Sequence, residues 1–371
     1  MIGEIILLTC ITLFLWNIFK KPPDYPPGPW GLPLFGFIPF NVSKIETQLE
    51  ELRKKHKNIF SWRIGSRLFV FLCEPKLMKE AFQSQIFADR PDLIIFSILE
   101  GQENFGVAGT NGLQWHNNRK FMIRHLKDLG MGKSKLVPSI QHEATEFVKI
   151  MKKQVGTPAP IPKALTPAIF NVLWQMVASK RYEFDDQELV DIGNLLNEIR
   201  ENFAPFFMLD IFPWVKIILP EFVLNFVTKK DKFTALSKLL ESKLTKQVKQ
   251  HVETLDVNNP RDYIDDYLIE MEKKKEEPDS TMSIKDLVNC IADLFVGGLD
   301  STSNSIIWAI FYLAKFPEVQ KRIHEEIDEF VPKETLVTLE HKSRYWLYSI
   351  LLLNHIIFLY TLSILLFSFI I

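Results

Sequence analysis

The clearest chemical pattern in this sequence is LFVGGLDSTSNS, residues 294–305, which lies inside a long stretch of helical periodicity. Adjacent glycines such as Gly297 and Gly298 cost about 1 kcal/mol each in a helix interior relative to alanine, so a sequence keeps them where something approaches the backbone closely. Ser301 lies four residues after Gly297 and shares its face of the helix, and Asp300 lies beside that face. The pattern predicts a notch with a hydroxyl and a carboxylate at its edge, which could admit a small ligand and relay protons to it.

The same segment also fits a purely structural role. Paired glycines let two helices cross closely, and a Ser/Thr-rich turn suits a helix surface. The residue types alone favour this packing role, because glycines inside helices usually serve packing. At this level both interpretations, a ligand notch and a helix crossing, stay open.

A family resemblance favours the notch. The five residues from Gly297 read Gly-Gly-Leu-Asp-Ser, which resembles the central-helix pattern of the cytochrome P450 family: Ala or Gly, Gly, any residue, Asp or Glu, Thr or Ser. In that family the acid and the hydroxyl assist proton delivery during oxygen activation. The resemblance implies this catalytic role for Asp300 and Ser301, and contact of Gly297 and Gly298 with the haem. The family usually has threonine at the position of Ser301; Thr302, the third catalytic candidate, points about 100° away around the helix.

Further short motifs of the family occur in order along the chain: PPGPWGLPLFG at 26–36, FADRP at 87–91, WHNNRKF at 115–121 and FPEVQKRIHEEIDEFV at 316–331. In W-x-x-x-R, here Trp115 and Arg119, the family places both side chains on the haem propionates, and by the same match Arg90 is a third propionate candidate. Residues i and i+4 face the same way on a helix, and a guanidinium and an indole N–H are suitable donors to a carboxylate. From residue 22 to residue 344 the chain therefore resembles the microsomal drug- and steroid-metabolising type of the family.

The hydrophobic periodicity predicts a mainly α-helical protein with a small β element near its start. The stretch IFSWRIGSRLFVFLCEP alternates on both sides of Gly65 and Ser66, which predicts a hairpin. A long helix is expected to begin at Ser283, where Asp286 three residues later gives a capping-box pattern, and to end before Pro317. Together with the resemblance, this implies a cytochrome P450 fold that lacks its C-terminal haem-ligand part.

The family's haem-ligand loop, F-x-x-G-x-R-x-C-x-G, and the E-x-x-R helix before it have no counterpart in this sequence. There is no glycine after Gly298 and no cysteine after Cys290. Cys290 lies nearly two helical turns before Gly297, so it is not expected to replace the missing ligand. A thiolate on the iron favours O–O cleavage. No metal ligand is therefore predicted, haem is expected from the family alone, and this form of the chain is expected to be inactive.

The two ends of the chain differ from its middle. Residues 1–21 are expected to form an uncleaved membrane anchor, since an uncharged apolar run is followed by two lysines. Residues 22–40 form a proline-rich hinge, 41–344 a partial cytochrome P450 domain, and 345–371 an apolar tail unrelated to the family. The positive flank of the anchor and the resemblance together imply an endoplasmic reticulum membrane protein whose main domain faces the cytosol.

The resemblance also implies a hydrophobic small-molecule substrate, and the apolar character of the expected pocket agrees with this. The pocket walls are expected from the loop 96–109, from an apolar stretch at 201–226 and from the central helix. Three prolines break the apolar stretch into short pieces, which suits either a buried cluster or a second contact with the membrane surface. The substrate candidates are Phe96, Ala108, Gly109, Phe206, Phe295 and Val296.

Between Trp115 and Lys135 the chain carries six cations and a single acid. Such a basic face attracts an acidic partner, although a merely solvated helix face fits as well. The resemblance implies docking of an NADPH-dependent flavoprotein reductase on this side. The formal net charge of −1 gives no reason to expect nucleic acid. The three widely spaced cysteines predict no disulfide framework.

The leading interpretation is therefore a monooxygenase that oxidises a hydrophobic organic compound with haem and O₂, with the activity belonging to a full-length relative. Two alternatives stay open. One is a non-catalytic truncated isoform or a mispredicted product. The other is a two-span membrane protein built on the two apolar ends.

Overall fold

The computed structural model describes residues 21–38, 45–95, 105–332 and 335–340. The predicted C-terminal tail, all but the last residue of the predicted anchor, and the substrate candidate Phe96 lie outside these residues. Within the described residues, no helix is both long and apolar enough to cross a bilayer.

The described part of the chain is mainly helical with one two-stranded sheet, which confirms the predicted fold class. In chain order its helices and strands are α1 (Ile45–His56), β1 (Ile59–Ile64), β2 (Arg67–Leu72), α2 (Pro75–Gln83), α3 (Gly112–Leu129), α4 (Val137–Lys152), α5 (Leu165–Ala178), α6 (Gln187–Glu201), α7 (Ala204–Ile211), α8 (Val215–Ile218), α9 (Glu221–Thr228), α10 (Lys230–Thr254), α11 (Tyr263–Lys273), α12 (Ile284–Lys315) and α13 (Pro317–Phe330). Short 3₁₀ turns lie at Gln85–Phe87 and Ser134–Leu136.

The chain divides into two compact units. Of the described residues, the first unit contains 21–38, 45–95 and 202–233. The second unit contains 105–201, 234–332 and 335–340.

In the first unit, β1 and β2 form the predicted antiparallel hairpin, with Ile64 paired to Arg67 next to the turn. Gly65 in this turn has a φ of 58°, a conformation that glycine adopts without steric cost. A Cβ at this position would lie 2.3 Å from the carbonyl oxygen of Ile211. Both the backbone conformation and the available space therefore require glycine.

The proline-rich segment lies along β1 and is not a detached spacer. The carbonyl groups of Pro27 and Pro29 accept hydrogen bonds from the backbone N–H groups of Ser61 and Arg63. Proline has no N–H to donate, so its carbonyl is the group that can pair with the strand. The ammonium of Lys21 donates to Oγ of Ser61 at 3.3 Å, which fixes the start of the described chain to the sheet.

The core of the second unit is centred on α12, which packs along α5. Phe295 of α12 stacks on Phe170 of α5, with ring centroids 4.8 Å apart. Tyr263 and Tyr267 of α11 are fully buried, and Tyr267 meets the ring of Phe121 of α3 edge-on at 5.2 Å. This core holds the helices that carry most of the predicted site residues.

Candidate functional site

The two glycines of α12 have different surroundings. A Cβ built on Gly298 would lie 2.8 Å from Cδ1 of Leu173 on α5, whereas a Cβ on Gly297 would meet no atom within 4 Å in the described part of the chain. Gly298 therefore serves a close helix crossing, and Gly297 leaves open space beside the backbone. The packing interpretation therefore applies to Gly298, while a ligand notch beside Gly297 and the contact of both glycines with haem stay predictions.

The three catalytic candidates follow directly on α12. Oδ1 of Asp300 pairs with Nη1 of Arg200 on α6 at 3.3 Å, and both side chains are about half exposed. The hydroxyl of Ser301 donates to the carbonyl oxygen of Gly297 at 2.7 Å, so it lies next to the opening that Gly297 leaves. Thr302 is exposed. The acid is thus paired with a cation and the hydroxyl lies beside the opening, while the proton-relay role stays a prediction.

Trp115 and Arg119 lie together on α3, as their i, i+4 spacing predicts. Cζ of Arg119 is 5.4 Å from the centre of the Trp115 ring. Trp115 is half-buried and Arg119 is exposed. A guanidinium over an indole face is held by a cation–π interaction, and its N–H donors lie in its own plane. The structure therefore brings the two expected propionate donors side by side, and their contact with propionates stays a prediction.

Two site candidates belong to the first unit. Nη1 of Arg90 donates to the carbonyl oxygen of Ala88. Phe206 is only 1% exposed and packs on Phe233, with ring centroids 4.7 Å apart. Phe206 thus forms part of the core of this unit, and the roles predicted for Arg90 and Phe206 stay untested.

The other described substrate candidates belong to the second unit and differ in exposure. Phe295 is 2% exposed, whereas its neighbour Val296 is 63% exposed. Ala108 is exposed and Gly109 is buried. Phe295 and Trp174 line a cavity of about 30 Å³, which is large enough for a water molecule but not for an organic substrate. Val296 therefore presents an exposed apolar side chain next to Gly297.

The carboxylate of Asp286, near the start of α12, joins several segments of the second unit. Its Oδ1 accepts hydrogen bonds from the backbone N–H of Gly106 at 2.9 Å and from Nδ2 of Asn118 at 2.9 Å. Oδ1 also accepts from Nε2 of Gln114 at 3.1 Å. Its Oδ2 accepts from the hydroxyl of Tyr267 at 2.8 Å. Asp286 therefore connects α12 with α3, with α11 and with the segment before α3.

The capping pattern predicted at Ser283 is half confirmed. Oγ of Ser283 accepts a hydrogen bond from the backbone N–H of Asp286 at 3.0 Å, as a helix N-cap does. In a full capping box the third-position side chain reaches back to the N-cap, whereas Asp286 accepts from groups elsewhere in the chain. No local sequence signal marks these donors, because they come from separate segments.

A second carboxylate of α12, that of Asp293, binds the two residues that follow Gly106. Oδ2 of Asp293 accepts from the backbone N–H groups of Val107 at 2.7 Å and Ala108 at 2.9 Å. Hydrogen bonds to an ionised acceptor are stronger than those between neutral groups. The backbone on both sides of Val107 is therefore anchored to α12 by two acids.

The two described cysteines belong to different units and have different surroundings. Cys290 is fully buried, with Sγ 4.0 Å from Oδ2 of Asp286, and it faces the core nearly two helical turns before Gly297. That Cys290 does not replace the missing thiolate stays a prediction. Cys73 belongs to the first unit, where burial raises the pKa of its thiol.

One buried group has the residue types of a metal site: His251, Asp262 and Asp265. Nε2 of His251 lies 3.0 Å from Oδ2 of Asp262, and Nδ1 lies 2.9 Å from the carbonyl oxygen of Gln247. Burial lowers the pKa of His251, but these hydrogen bonds together with the charges of Asp262 and Asp265 raise it more, and the pKa ends above its ordinary value. Asp265 is held by both Nε and Nη2 of Arg261. The carboxylate of Asp262 is thus paired with the imidazole of His251 and that of Asp265 with the guanidinium of Arg261, so these contacts within the protein explain the group.

The basic face predicted after Trp115 is exposed. All six of its cations, Arg119, Lys120, Arg124, Lys127, Lys133 and Lys135, are solvent-accessible. The single acid in the region, Asp128, lies 3.6 Å from Nζ of Lys133. Most of this positive charge therefore remains available to a partner.

The sequence matches the family Cytochrome P450 over residues 26–345. It is 42% identical over 328 residues to cytochrome P450 2L1 of Panulirus argus, covering 88% of this chain and 66% of that protein. It is 28% identical over 347 residues to cytochrome P450 18a1 of Drosophila melanogaster, with 90% and 63% covered. It is 30% identical over 347 residues to cytochrome P450 2C28 of Mesocricetus auratus, with 92% and 69% covered.

The chain therefore spans about two thirds of the length of the curated relatives it matches. The matched region contains the Trp115–Arg119 pair and the segment from Gly297 to Ser301. The resemblance noted in the sequence is confirmed: the chain belongs to the cytochrome P450 family.

Proposed function

We propose that these residues belong to a haem-dependent monooxygenase that inserts one oxygen atom from O₂ into a hydrophobic organic compound. When bound, haem supplies the oxygen-activating iron chemistry. The observation that carries the proposal lies in the second unit, where a stacked Trp–Arg donor pair on α3 accompanies an open notch beside Gly297 on α12. Membership of the family supports the reaction class.

The residues around these two features suit a flat apolar group that carries carboxylates. The indole N–H of Trp115 and the guanidinium of Arg119 would hold the carboxylates. The exposed side chain of Val296 and the open side of Gly297 would contact the apolar face of the group. Gly298 supports this surface indirectly, because it lets α12 pack closely on Leu173.

Asp300 and Ser301 are proposed to hold and move protons at the notch. The hydroxyl of Ser301 donates to the carbonyl oxygen of Gly297 and needs only to rotate to donate into the opening. The ion pair of Asp300 with Arg200 is solvent-exposed, and exposed pairs contribute little energy. The carboxylate can therefore leave this pair and exchange protons with water.

An affinity measurement with two matched variants tests the haem site. Arg119→Ala removes a proposed carboxylate donor, whereas Lys120→Ala removes the same charge from the next position around α3. A hydrogen bond to a charged group contributes roughly 1.5–3 kcal/mol, so Arg119→Ala is expected to weaken haem binding by about tenfold or more. Lys120→Ala is expected to change it by less than about twofold, the level of a surface charge. Equal losses in both variants would show that only net charge matters and would contradict the site.

We further propose that the 371 residues alone bind haem without a thiolate on the iron and do not catalyse the reaction. The support is the burial of Cys290 in the core and the lack of any later cysteine in this sequence. The carbon monoxide spectrum of the reduced, haem-loaded chain is expected to lack the band that is specific to thiolate ligation. Observation of that band in purified material would overturn this proposal.

We propose that the protein lies on the endoplasmic reticulum membrane and uses α8 and α9 as a second contact. Ile217, Phe222 and Phe226 are 87%, 75% and 84% exposed, and large exposed apolar patches mark interaction sites. A spin label at position 226 in vesicle-bound protein is expected to be more accessible to oxygen, which concentrates in lipid, than a label at Val252 on α10. Equal accessibility at both positions would argue against the contact.

We propose that the basic face of the second unit docks an NADPH-dependent flavoprotein reductase. The support is the exposure of its cations around α3, since opposite charges accelerate encounter. Charge reversal by Lys127→Glu is expected to slow association with such a reductase at low salt and to have little effect at high salt. The same reversal at Lys246 on α10 serves as the control, and equal slowing by both variants would contradict a local docking face.

A further inference from the structure

We propose that Asp286 is a positioning residue whose buried carboxylate fixes the rotation of α3 about its axis and thereby aims Trp115 and Arg119. The inference rests on the proposed role of those two side chains in holding the carboxylates of haem. Asp286 itself contacts neither of them through the hydrogen bonds described above, so it would act through the orientation of the helix.

The buried carboxylate of Asp286 requires hydrogen-bond donors. Asp286 is 0% exposed, and a buried charge is costly unless hydrogen bonds compensate it. Its two oxygens accept five hydrogen bonds from neutral donors: those of Gly106, Gln114, Asn118 and Tyr267, and a long one from the thiol of Cys290 at 4.0 Å. It is also the third residue of α12, a helix of 32 residues, where the positive end of the helix dipole stabilises an anion. Asp286 therefore holds its donors in place, because loss of any one leaves part of a buried charge unsatisfied.

Two of these donors fix the orientation of α3. Gln114 and Asn118 are four residues apart, so they lie on the same face of the helix, and both amides donate to Oδ1 of Asp286. Trp115 and Arg119 each follow one of them by a single residue. The face that carries Trp115 and Arg119 is therefore turned by about 100° from the face held by Asp286. A helix held at two points one turn apart cannot rotate freely, so the direction of both haem-binding candidates is set.

The side-chain amide of Asn118 makes a second hydrogen bond, to the segment before α3. Its Nδ2 also donates to the carbonyl oxygen of Gly106 at 2.7 Å, and Asn118 is only 2% exposed. The backbone N–H of Gly106 donates to Asp286. Gly106, Asn118 and Asp286 thus form a closed set of hydrogen bonds between α3, the preceding segment and α12.

A further donor, Tyr267, keeps its proton. Burial, and then the charge of Asp286, raises the pKa of Tyr267 well above its ordinary value. The raised pKa favours the protonated phenol, which donates to Oδ2 of Asp286.

The test uses the full chain and two metal-free probes, protoporphyrin IX with its two carboxylates and its dimethyl ester without charge. Metal-free probes avoid any dependence on an iron ligand. The wild-type chain is expected to bind the diacid about tenfold or more tighter than the ester, from charge-assisted hydrogen bonds. Asp286→Asn, which keeps the size of the side chain, is expected to reduce this preference to about threefold or less while the affinity for the ester stays within about twofold.

Asp293→Asn is the matched control. It weakens a second carboxylate anchor on the same helix, but its described hydrogen bonds go to Val107 and Ala108 and not to α3. This variant is expected to retain the wild-type preference for the diacid. An equal loss of preference in Asp293→Asn would overturn the specific role of Asp286 and point to general loosening of the segment.

A second variant keeps the proposal testable if Asp286→Asn does not fold. Gln114→Met with Asn118→Leu removes both contacts from α3 and leaves the carboxylate with its Gly106 and Tyr267 donors. The same selective loss of diacid preference is expected. If the wild-type chain has no preference for the diacid, the proposed haem site itself fails. If the wild type has the preference and the α3 or Asp286 variants keep it, only the positioning role fails.

Discussion

In the first half of α12, from Ile284 to Phe295, the apolar side chains pack into the core of the second unit, whereas many of those from Val296 onward remain exposed. Leu287 and Ile291 are completely buried. In the second half, Trp308 is 38% exposed. The two halves have the same helical geometry and similar apolar character, so composition does not explain the difference.

The difference arises from what lies against each half. The first half has α5 and α11 packed on it and carries two acids that anchor a neighbouring backbone segment. In the second half, Ile306, Ile307, Trp308 and Phe311 present 36–49% of their surface to solvent. The first half thus supplies stability to the unit, and the second half presents an apolar surface that begins at the Gly297 notch. Among the described residues, burial therefore differs along a single helix of uniform geometry.

The largest effect that would test this comparison comes from truncating one aromatic side chain in each half. Phe295→Ala is expected to lower the free energy of unfolding by about 3–5 kcal/mol, because it leaves a cavity between Phe170 and Trp174. Trp308→Ala removes a larger but partly exposed side chain and is expected to cost clearly less than Phe295→Ala, because solvent already reaches the site. Urea titration followed by far-ultraviolet circular dichroism measures both values. Similar losses for the two variants would break the distinction between the halves.

An intermediate effect is expected at the boundary between the halves, where the two glycines lie. Gly297→Ala is expected to raise the free energy of unfolding by about 1 kcal/mol, since alanine is the better helix former and its Cβ meets open space. Gly298→Ala loses most of that gain, because its Cβ would push Cδ1 of Leu173 from its position. Equal stabilisation by both substitutions would contradict the close packing of α12 on α5 at Gly298.

The same substitution at Gly297 also tests the proposed function of the notch. A Cβ at Gly297 occupies the space beside the backbone that is proposed to receive the porphyrin. Gly297→Ala is therefore expected to weaken protoporphyrin binding although it makes the fold more stable. Unchanged porphyrin affinity in this variant would show that the notch is not part of the proposed haem site.

The smallest effect is expected at Asp300. Its ion pair with Arg200 is exposed at both ends, and such pairs contribute about 0.5 kcal/mol or less. Asp300→Asn should therefore leave the free energy of unfolding nearly unchanged, as the urea titration would measure. A loss above about 1 kcal/mol would mean that this carboxylate belongs to the structural half of α12 and would weaken its assignment to proton transfer.

Features that depend on neighbouring residues in the chain could be predicted from the sequence. The hairpin around Gly65, the start of α12 after Ser283 and the three short helices between 204 and 228 follow from turn chemistry, capping and proline positions. The meeting of Trp115 and Arg119 follows from helical spacing. Family membership also followed from ordered short motifs, and the match over 26–345 confirms it.

Features that depend on distant segments could not be predicted in this way. The sequence offered Phe206, Phe295 and Val296 alike as substrate contacts, yet the first two are buried in cores and the third is exposed. Hydrophobicity indicates that a side chain is suited to burial, but not whether another element covers it. The partners of Asp286 come from positions 106, 114, 118 and 267, and no local pattern links them.

The sequence by itself therefore determined the helices, the hairpin, the family and the residue types of the candidate site. The tertiary structure alone decided that Gly298 serves packing and Gly297 an opening, that Asp286 holds α3, and which half of α12 is covered. The physical reason is that periodicity, capping and turn preferences act over a few residues, whereas burial and the pairing of a buried charge are settled by segments that only folding brings together.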